Sequence, residues 1–462
     1  MVGLASRTPE ESDTLSDKYC IVGAGPAGLT AARALLEKGI EFDAFEKHHQ
    51  ATGIWDPDND GSPMYESAHF ISSRTTSGFF GFPMPEHYPD YPTYRQIRDY
   101  ILAFAEEYGL NEHIEFDTRV VHAAPEGDGW VVELEGGERR RYRGLICANG
   151  TTWSPNLPAY PGLERFTGEA RHSNTFRHQE EFRGKRVLIV GAGNSGVDIA
   201  CDAARNADVA LFSVRRGYHY IPKHLFGVPL DVFLEGEGVE LPAWIDVPED
   251  PAELVSALVG DVTRYGLPAP DHPVLSTHPI VNDQILHHLA HGDIAPKPDV
   301  AEFRERSVVF ADGTEEEVDL VLFATGYTWD IPYVDRSHFD WKMDHPQLYL
   351  NVFSRKHDNL YVLGMIEFAS AAYQRFDDMA QLVAGDIRAT LDDAPEKALL
   401  RDLKANDRPD LRGEMTYVDS PRHANYVEVH QYMHVLDELR GRLGWAAPDD
   451  ETYERLRAGL RA

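Results

Sequence analysis

The stretch VLIVGAGNSGVDIA at 187–200 repeats the plan of YCIVGAGPAGLTAA at 19–32: an apolar run, a G-x-G-x-x-G loop and a start rich in small residues. Each copy reads as strand, tight turn and helix, with the helices expected over 29–38 (closed by Gly39) and 197–204. The first glycine (Gly23, Gly191) allows the turn. The second (Gly25, Gly193) lets backbone approach a pyrophosphate, and the third (Gly28, Gly196) lets helix and strand pack closely. The helix start then offers unpaired N–H groups to the phosphates. A chain that carries this unit twice is constrained to an α/β fold with two nucleotide-binding units.

The strands after the two loops end differently. After the first loop, IEFDAFEK brings Glu46 near the offset at which an acid binds ribose hydroxyls. After the second, DVALFSVRRG places Ser213, Arg215 and Arg216 there, with no acid. An arginine pair suits a 2′-phosphate that a carboxylate would repel, although the same pair could be a solvated surface feature. Two dinucleotides held face to face are expected, one of them NADP.

A second echo divides the chain. The stretch at 130–150, WVVELEGGERRRYRGLICANG, and that at 307–327, SVVFADGTEEEVDLVLFATGY, share one layout. Each has a strand, a glycine turn, a second strand, and an apolar strand ending in Ala-x-Gly. The order is loop, meander, loop, meander, remainder, so the second unit reads as inserted into the first.

Composition sets limits. A net charge of −32 over 462 residues offers no basic face for nucleic acid. No window approaches a membrane span, and the polar stretch 1–17 reads as a frayed tail rather than a signal peptide. Cys20, Cys147 and Cys201 form no CxxC pair, which argues against a disulfide reductase, and they read as buried hydrophobes.

Between the first meander and the second loop lies FTGEARHSNTF, with Phe166, Gly168, His172 and Phe176. It resembles the FxGxxxHxxx(Y/F) fingerprint of the flavin-containing monooxygenases; the related Baeyer–Villiger fingerprint ends in Trp. GAGPAG, FEK, GIW, GFPMP, GAGNSG, VRRG, VNDQI and FATGY keep that family's order, from about Tyr19 to about Gln381. The resemblance implies an α/β fold of two Rossmann-like dinucleotide-binding domains, with the NADP domain (166–325) inserted into the FAD domain (18–165 and 326–462). By the same resemblance Gly23, Ala24, Gly25, Pro26, Ala27 and Gly28 hold the FAD pyrophosphate, Glu46 its ribose, and Ile54, Trp55 and Val120 further parts of it. Gly191, Gly193, Asn194, Ser195, Gly196, Val197 and Asp198 hold NADP, with Arg215 and Arg216 on its 2′-phosphate. Thr325 and Gly326 join the domains near the flavin, and His172 is a domain-linking residue on the linker.

One position departs from the family. Where an Asn is expected beside flavin and nicotinamide this chain has Ile71, or Ser72 if the loop is shifted. The implied activity is NADPH-dependent monooxygenation through a C4a-(hydro)peroxyflavin, giving one atom of O2 to a soft nucleophile such as an amine or thioether. Baeyer–Villiger attack on a ketone and uncoupled release of hydrogen peroxide are the alternatives. A cytoplasmic homodimer acting on a small molecule and O2 is the further expectation.

Other features read as structural. His287 and His291 lie four apart on a helix without a third metal ligand. The stretch YPTYRQIRDYILAFAEEYG is an amphipathic helix packing on the FAD domain. The acidic segment 228–270 covers the mouth of the site or contacts a second subunit. Residues 420–445 end in a helix over 430–443 that docks on the FAD domain.

Overall fold

The computed structural model describes residues 17–235, 248, 250–447 and 449–460. Apart from Asp17, the expected tail therefore lies outside the described residues, as do 236–247 and 249 of the acidic segment.

Two parallel five-stranded sheets form. The first runs Leu360–Val362, Gly144–Cys147, Tyr19–Val22, Phe42–Phe45, Ile114–Glu115, and the second Glu169–His172, Leu320–Phe323, Arg186–Val190, Val209–Ser213, Ile294–Lys297. Their central strands are short and almost wholly apolar because both faces are covered, whereas edge strands such as Glu169–His172 carry exposed polar residues. The glycine-loop strand is central in each, flanked on one side by the apolar strand that follows each meander, Gly144–Cys147 or Leu320–Phe323. Each meander is a three-stranded antiparallel sheet, 120–142 in the first unit and 300–317 in the second.

The two sheets differ in where the fifth strand comes from. In the first it is Leu360–Val362, which comes after everything else; in the second it is Glu169–His172, which precedes the loop. All strands of the second sheet thus lie between Gly144–Cys147 and Leu360–Val362 of the first, so the second unit is inserted into the first. His172 ends a paired edge strand rather than lying on a linker, because its strand has Leu320–Phe323 to pair with.

Helices complete the first unit. The helix Tyr94–Glu107 starts in a capping box in which Thr93 and Gln96 satisfy each other's backbone N–H groups, and it buries Ile97, Tyr100, Ile101 and Phe104. The helix Tyr373–Leu391 packs along Pro26–Glu37, and Val429–Leu443 buries Tyr432, Leu436, Leu439 and Leu443 in the same core. The three cysteines are buried and unpaired, and His287 and His291 are exposed.

An ion pair is sealed into this core. Arg33 (0 % exposed) meets Asp377 (1 % exposed) at 2.5 Å, donates to Phe80 O at 2.8 Å, and lies 3.6 Å from the centre of the Tyr453 ring. Asp377 also accepts from Phe80 N at 3.1 Å, so the pair ties two helices to the GFPMP loop. Asp377→Ala strands the guanidinium and should cost about 3–5 kcal/mol, whereas the double variant Arg33→Met/Asp377→Leu should lose less than the single one. Urea unfolding monitored by circular dichroism checks both.

Candidate functional site

Both glycine loops are shaped by the same overlaps. A Cβ on Gly23 would lie 2.5 Å from Ala148 O, and one on Gly191 2.5 Å from Ala324 O. A Cβ on Gly28 would overlap Gly23 O, and one on Gly196 would overlap Gly191 O. The Ala-x-Gly endings of the meanders supply those carbonyls, and Gly150 and Gly326 turn away in the left-handed region at φ 76° and 80°.

Both helices begin on the loop itself, at Pro26 and Asn194, three residues earlier than expected. Pro26 fits the first helical position because it has no N–H to leave unpaired. The N-cap residues Gly25 (φ −73°, ψ −176°) and Gly193 (φ −73°, ψ 176°) adopt matching geometry, and neither helix has a side-chain cap. The first-turn N–H groups thus have no capping side chain, as a phosphate site requires. Among the described residues, a Cβ on Gly193 would meet nothing within 4 Å, and Thr52 Oγ1, beside the Gly25–Gly53 contact, is buried without a hydrogen-bond partner. The residues present fit two dinucleotides.

Around the first loop, Glu46 comes directly after the strand Phe42–Phe45. It accepts from Ala24 N at 2.7 Å and His48 N at 3.0 Å. Burial pushes its carboxyl pKa up, against those two N–H groups. Ile54 and Trp55 lie in the turn Gly53–Trp55, where a Cβ on Gly25 would sit 3.2 Å from Gly53 Cα. His48 Nε2 and Asp56 Oδ2, 3.1 Å apart, tie that turn back to the segment 46–48 that follows the strand. Ala24 and Ala27 are buried, and the Val120 side chain is buried in the core with Phe45 and Trp130.

Around the second loop, the Asn194 side chain clamps the 279–281 segment through Pro279 O (2.9 Å) and Val281 N (3.0 Å). Ser195 is exposed and Val197 buried. Asp198 accepts from Asn282 Nδ2 at 2.6 Å and from Tyr65 OH at 3.3 Å. The two arginines separate. Arg215 is exposed and makes no hydrogen bond or ion pair among the described residues, while Arg216 is held by Asp271 at 2.8 Å.

The units meet where the chain crosses between them. Residues 154–155 pair antiparallel with 327–328, Asn156 N donates to Gly326 O at 2.9 Å, and Thr325 Oγ1 to Asn156 O at 2.6 Å. His172 Nε2 lies 3.0 Å from Gly326 O. The rest of the fingerprint is packing: Gly168 leaves room for the Phe166 ring, and Phe176 stacks on Phe182. Trp55 packs against the cores of both units. Beside it Phe70 touches Trp55 and Tyr373, and next in the chain Ile71 is 36 % exposed, with Ser72 half-buried.

Two polar residues at the junction, Tyr65 and Asp231, carry no signal that singles them out in the sequence. Asn282 sits in VNDQI, but nothing in the sequence links Asp231 to Ser73, whose N–H donates to it at 2.6 Å. The segment 228–270 does reach the loop carrying Ile71, through Asp231.

A histidine cluster joins the second unit to the C-terminal segment. His278 Nδ1 lies 3.1 Å from Tyr426 OH, the His278 backbone N–H donates to His423 Nε2 at 3.1 Å, and Ser420 Oγ is 2.8 Å from His423 Nδ1. Burial, reinforced by the charges of Arg422, Arg216 and His272, lowers the His423 pKa to about 4, and burial lowers that of His278. Below the ordinary value of 6.5 the unfolded chain binds protons that the folded one refuses, so stability falls as pH drops from 6.5 towards 4. Thermal melts across that window should show the loss, and His423→Gln should flatten it.

Paired glycine loops, uncapped helix starts, an acid after one and an arginine unpaired among the described residues after the other are the features of a protein built for two dinucleotides. The chain belongs to the flavin-binding monooxygenase-like family, which matches residues 16–449, and it is an NADPH-dependent FAD monooxygenase. It is 31% identical over 404 residues to flavin-containing monooxygenase 3 of Homo sapiens, covering 81% of this chain and 74% of that one. Its fold is similar to cyclohexanone monooxygenase with cyclohexanone bound (TM-score 0.68, 18% identity, 92% of this chain and 97% of that one). It is also similar to S-allyl-L-cysteine S-oxygenase of Allium sativum (TM-score 0.63, 19% identity, 96% and 93%). Among the described residues no helix is long and apolar enough to cross a membrane.

Proposed function

We propose that the chain transfers one atom of O2 to a soft nucleophile, an amine nitrogen or a thioether sulfur. Substrate, NADPH, a proton and O2 become the N- or S-oxide, NADP+ and water. When bound, FAD and NADPH supply the hydride transfer and the oxygen activation. The observation that carries the reading is the duplicated glycine cradle, whose two units are joined at the 154–156 and 325–328 crossing.

In this reading residues 18–165 and 326–462 hold FAD and 166–325 hold NADPH. Gly23 to Gly28 bind one pyrophosphate and Glu46 a ribose hydroxyl, and Ile54, Trp55 and Val120 bound that site. Gly191 to Gly196, with Val197 and Asp198 behind them, form the second. Thr325, Gly326 and the loop with Ile71 and Ser72 sit at the junction, where the chain's task is to exclude water. An open cleft of about 440 Å³ beside that loop is lined by Thr75, Phe79, Phe80 and Gln374 together with the carboxylates Asp449 and Asp450.

The holoenzyme, given trimethylamine, a dialkyl sulfide or cyclohexanone, is assayed for NADPH use, product and hydrogen peroxide. Oxide from the amine or sulfide supports the reading, and lactone from cyclohexanone would replace it with Baeyer–Villiger chemistry. Peroxide equal to the NADPH used would make the chain an NADPH oxidase, a reading that Ile71, apolar at the expected Asn position, favours second. Arg215→Ala should raise the KM for NADPH by about tenfold or more with little change for NADH, since a charge-assisted bond is lost. Arg216→Ala should act more weakly because Asp271 already holds that side chain. Steady-state kinetics with both nucleotides checks the pair.

A further inference from the structure

Three carboxylates of the inserted unit grip one strip of the first unit. Asp198 accepts from Tyr65 OH at 3.3 Å and Asp202 from Ser67 Oγ. Asp231 Oδ2 accepts from both Ser73 N, at 2.6 Å, and Thr76 Oγ1, at 2.5 Å. The grips fall on either side of Ile71 and Ser72. Between them Phe70 stays with the first unit, through Pro92 O at 2.8 Å and the Trp55 and Tyr373 rings.

Asp231 has a supporting frame. Its short helix, Leu230–Leu234, starts where Leu230 N meets Tyr91 OH at 3.3 Å. The same Tyr91 hydroxyl donates to Lys223 O, and His224 Nε2 lies 3.0 Å from Asp90 Oδ2. Asp90 O in turn accepts from Arg74 N at 2.8 Å. The loop 71–76 is thus fastened to the inserted unit by one carboxylate oxygen and braced by the neighbouring 90–91 contacts. If the inserted unit shifts, Ser73 and Thr76 shift with it.

We propose that Asp231 is a positioning residue for the oxygenation: it fixes the loop carrying Ile71 and Ser72 against the inserted unit. It thereby sets how much NADPH goes into product and how much is lost as hydrogen peroxide. The lost share obeys NADPH + H+ + O2 → NADP+ + H2O2, in which O2 takes both electrons. The inference rests on the proposed placement of that loop at the reaction site. Asp231 acts only through Ser73 and Thr76. Because one oxygen accepts both loop bonds and the other accepts only from its chain neighbour Val232 N at 3.1 Å, an asparagine carbonyl can keep the loop bonds and an alanine cannot.

The test uses the FAD-loaded full chain and whichever substrate it oxidises, reading peroxide per NADPH, flavin content and the KM for NADPH. Asp231→Ala should raise the peroxide share several-fold with flavin content and KM unchanged, and Asp231→Asn should restore coupling. Thr76→Val should move the share in the same direction by less. Ile71→Asn serves as the control for the loop's placement. If Ile71→Asn changes the peroxide share but Asp231→Ala does not, the Asp231 role is overturned and the placement stands. If neither changes it, both fall. A loss of flavin together with coupling in Asp231→Ala that Asp231→Asn does not rescue would mark a general folding defect and also overturn the role.

Discussion

Each half of the molecule depends on one close contact: a glycine without a Cβ lying against the carbonyl of the alanine that ends a neighbouring strand. Gly23 meets Ala148 and Gly191 meets Ala324 in this way, with the same register of supporting bonds. Gly23 N donates to Phe45 O and Gly191 N to Ser213 O, while Ala148 N donates to Val22 O and Ala324 N to Val190 O. That contact lets the third glycine slide under the first, so the helix starts on the loop and its unpaired N–H groups stand at the sheet's C-terminal edge. The rest of each unit is built on it. Helices must cover the sheet, and the buried Arg33–Asp377 pair locks two of those helices to the loop at 80.

Inserting one such unit into another makes the chain cross the junction twice, and the crossings pair with each other. The residues that most resemble a family fingerprint lie at or near this junction. His172 ends the inserted unit's edge strand and meets Gly326 O; Gly168 and Phe176 serve packing around it. The fingerprint is therefore a record of how the two units are joined. Its histidine needs no proton to move, and burial lowers its pKa, which favours the neutral ring.

Sequence reasoning goes furthest where the signal is local. Glycine spacing, the Ala-x-Gly endings and the period of the helix Tyr94–Glu107 all depend on neighbours within a turn or a strand, so they reveal the fold class and both cradles. It overreaches at His172, where a strand of four residues has no pattern of its own and exists because Leu320–Phe323 is there to pair with. It treats Arg215 and Arg216 alike, and only Asp271, far along the chain, separates them. Contacts such as Ser73 N to Asp231, or Tyr65 OH to Asp198, join single polar groups across well over a hundred residues. No periodicity announces them.

The two cradles are copies in backbone and opposites in surroundings, and the difference has a physical meaning. Around the first, the Gly53 turn closes to within van der Waals reach of Gly25, and Glu46 is buried with its oxygens on backbone N–H groups. Around the second, nothing stands within reach of a Cβ on Gly193, Ser195 is exposed, and Arg215 reaches solvent without a partner among the described residues. The first loop is thus closely backed by a turn, whereas the second stands open beside an exposed cation, a difference in surroundings that accompanies the difference in charge. That difference also gives the grip of Asp198, Asp202 and Asp231 on residues 65–76 a use. The open cradle belongs to the unit that holds this strip, so whatever fills the cradle can bear on the strip's position.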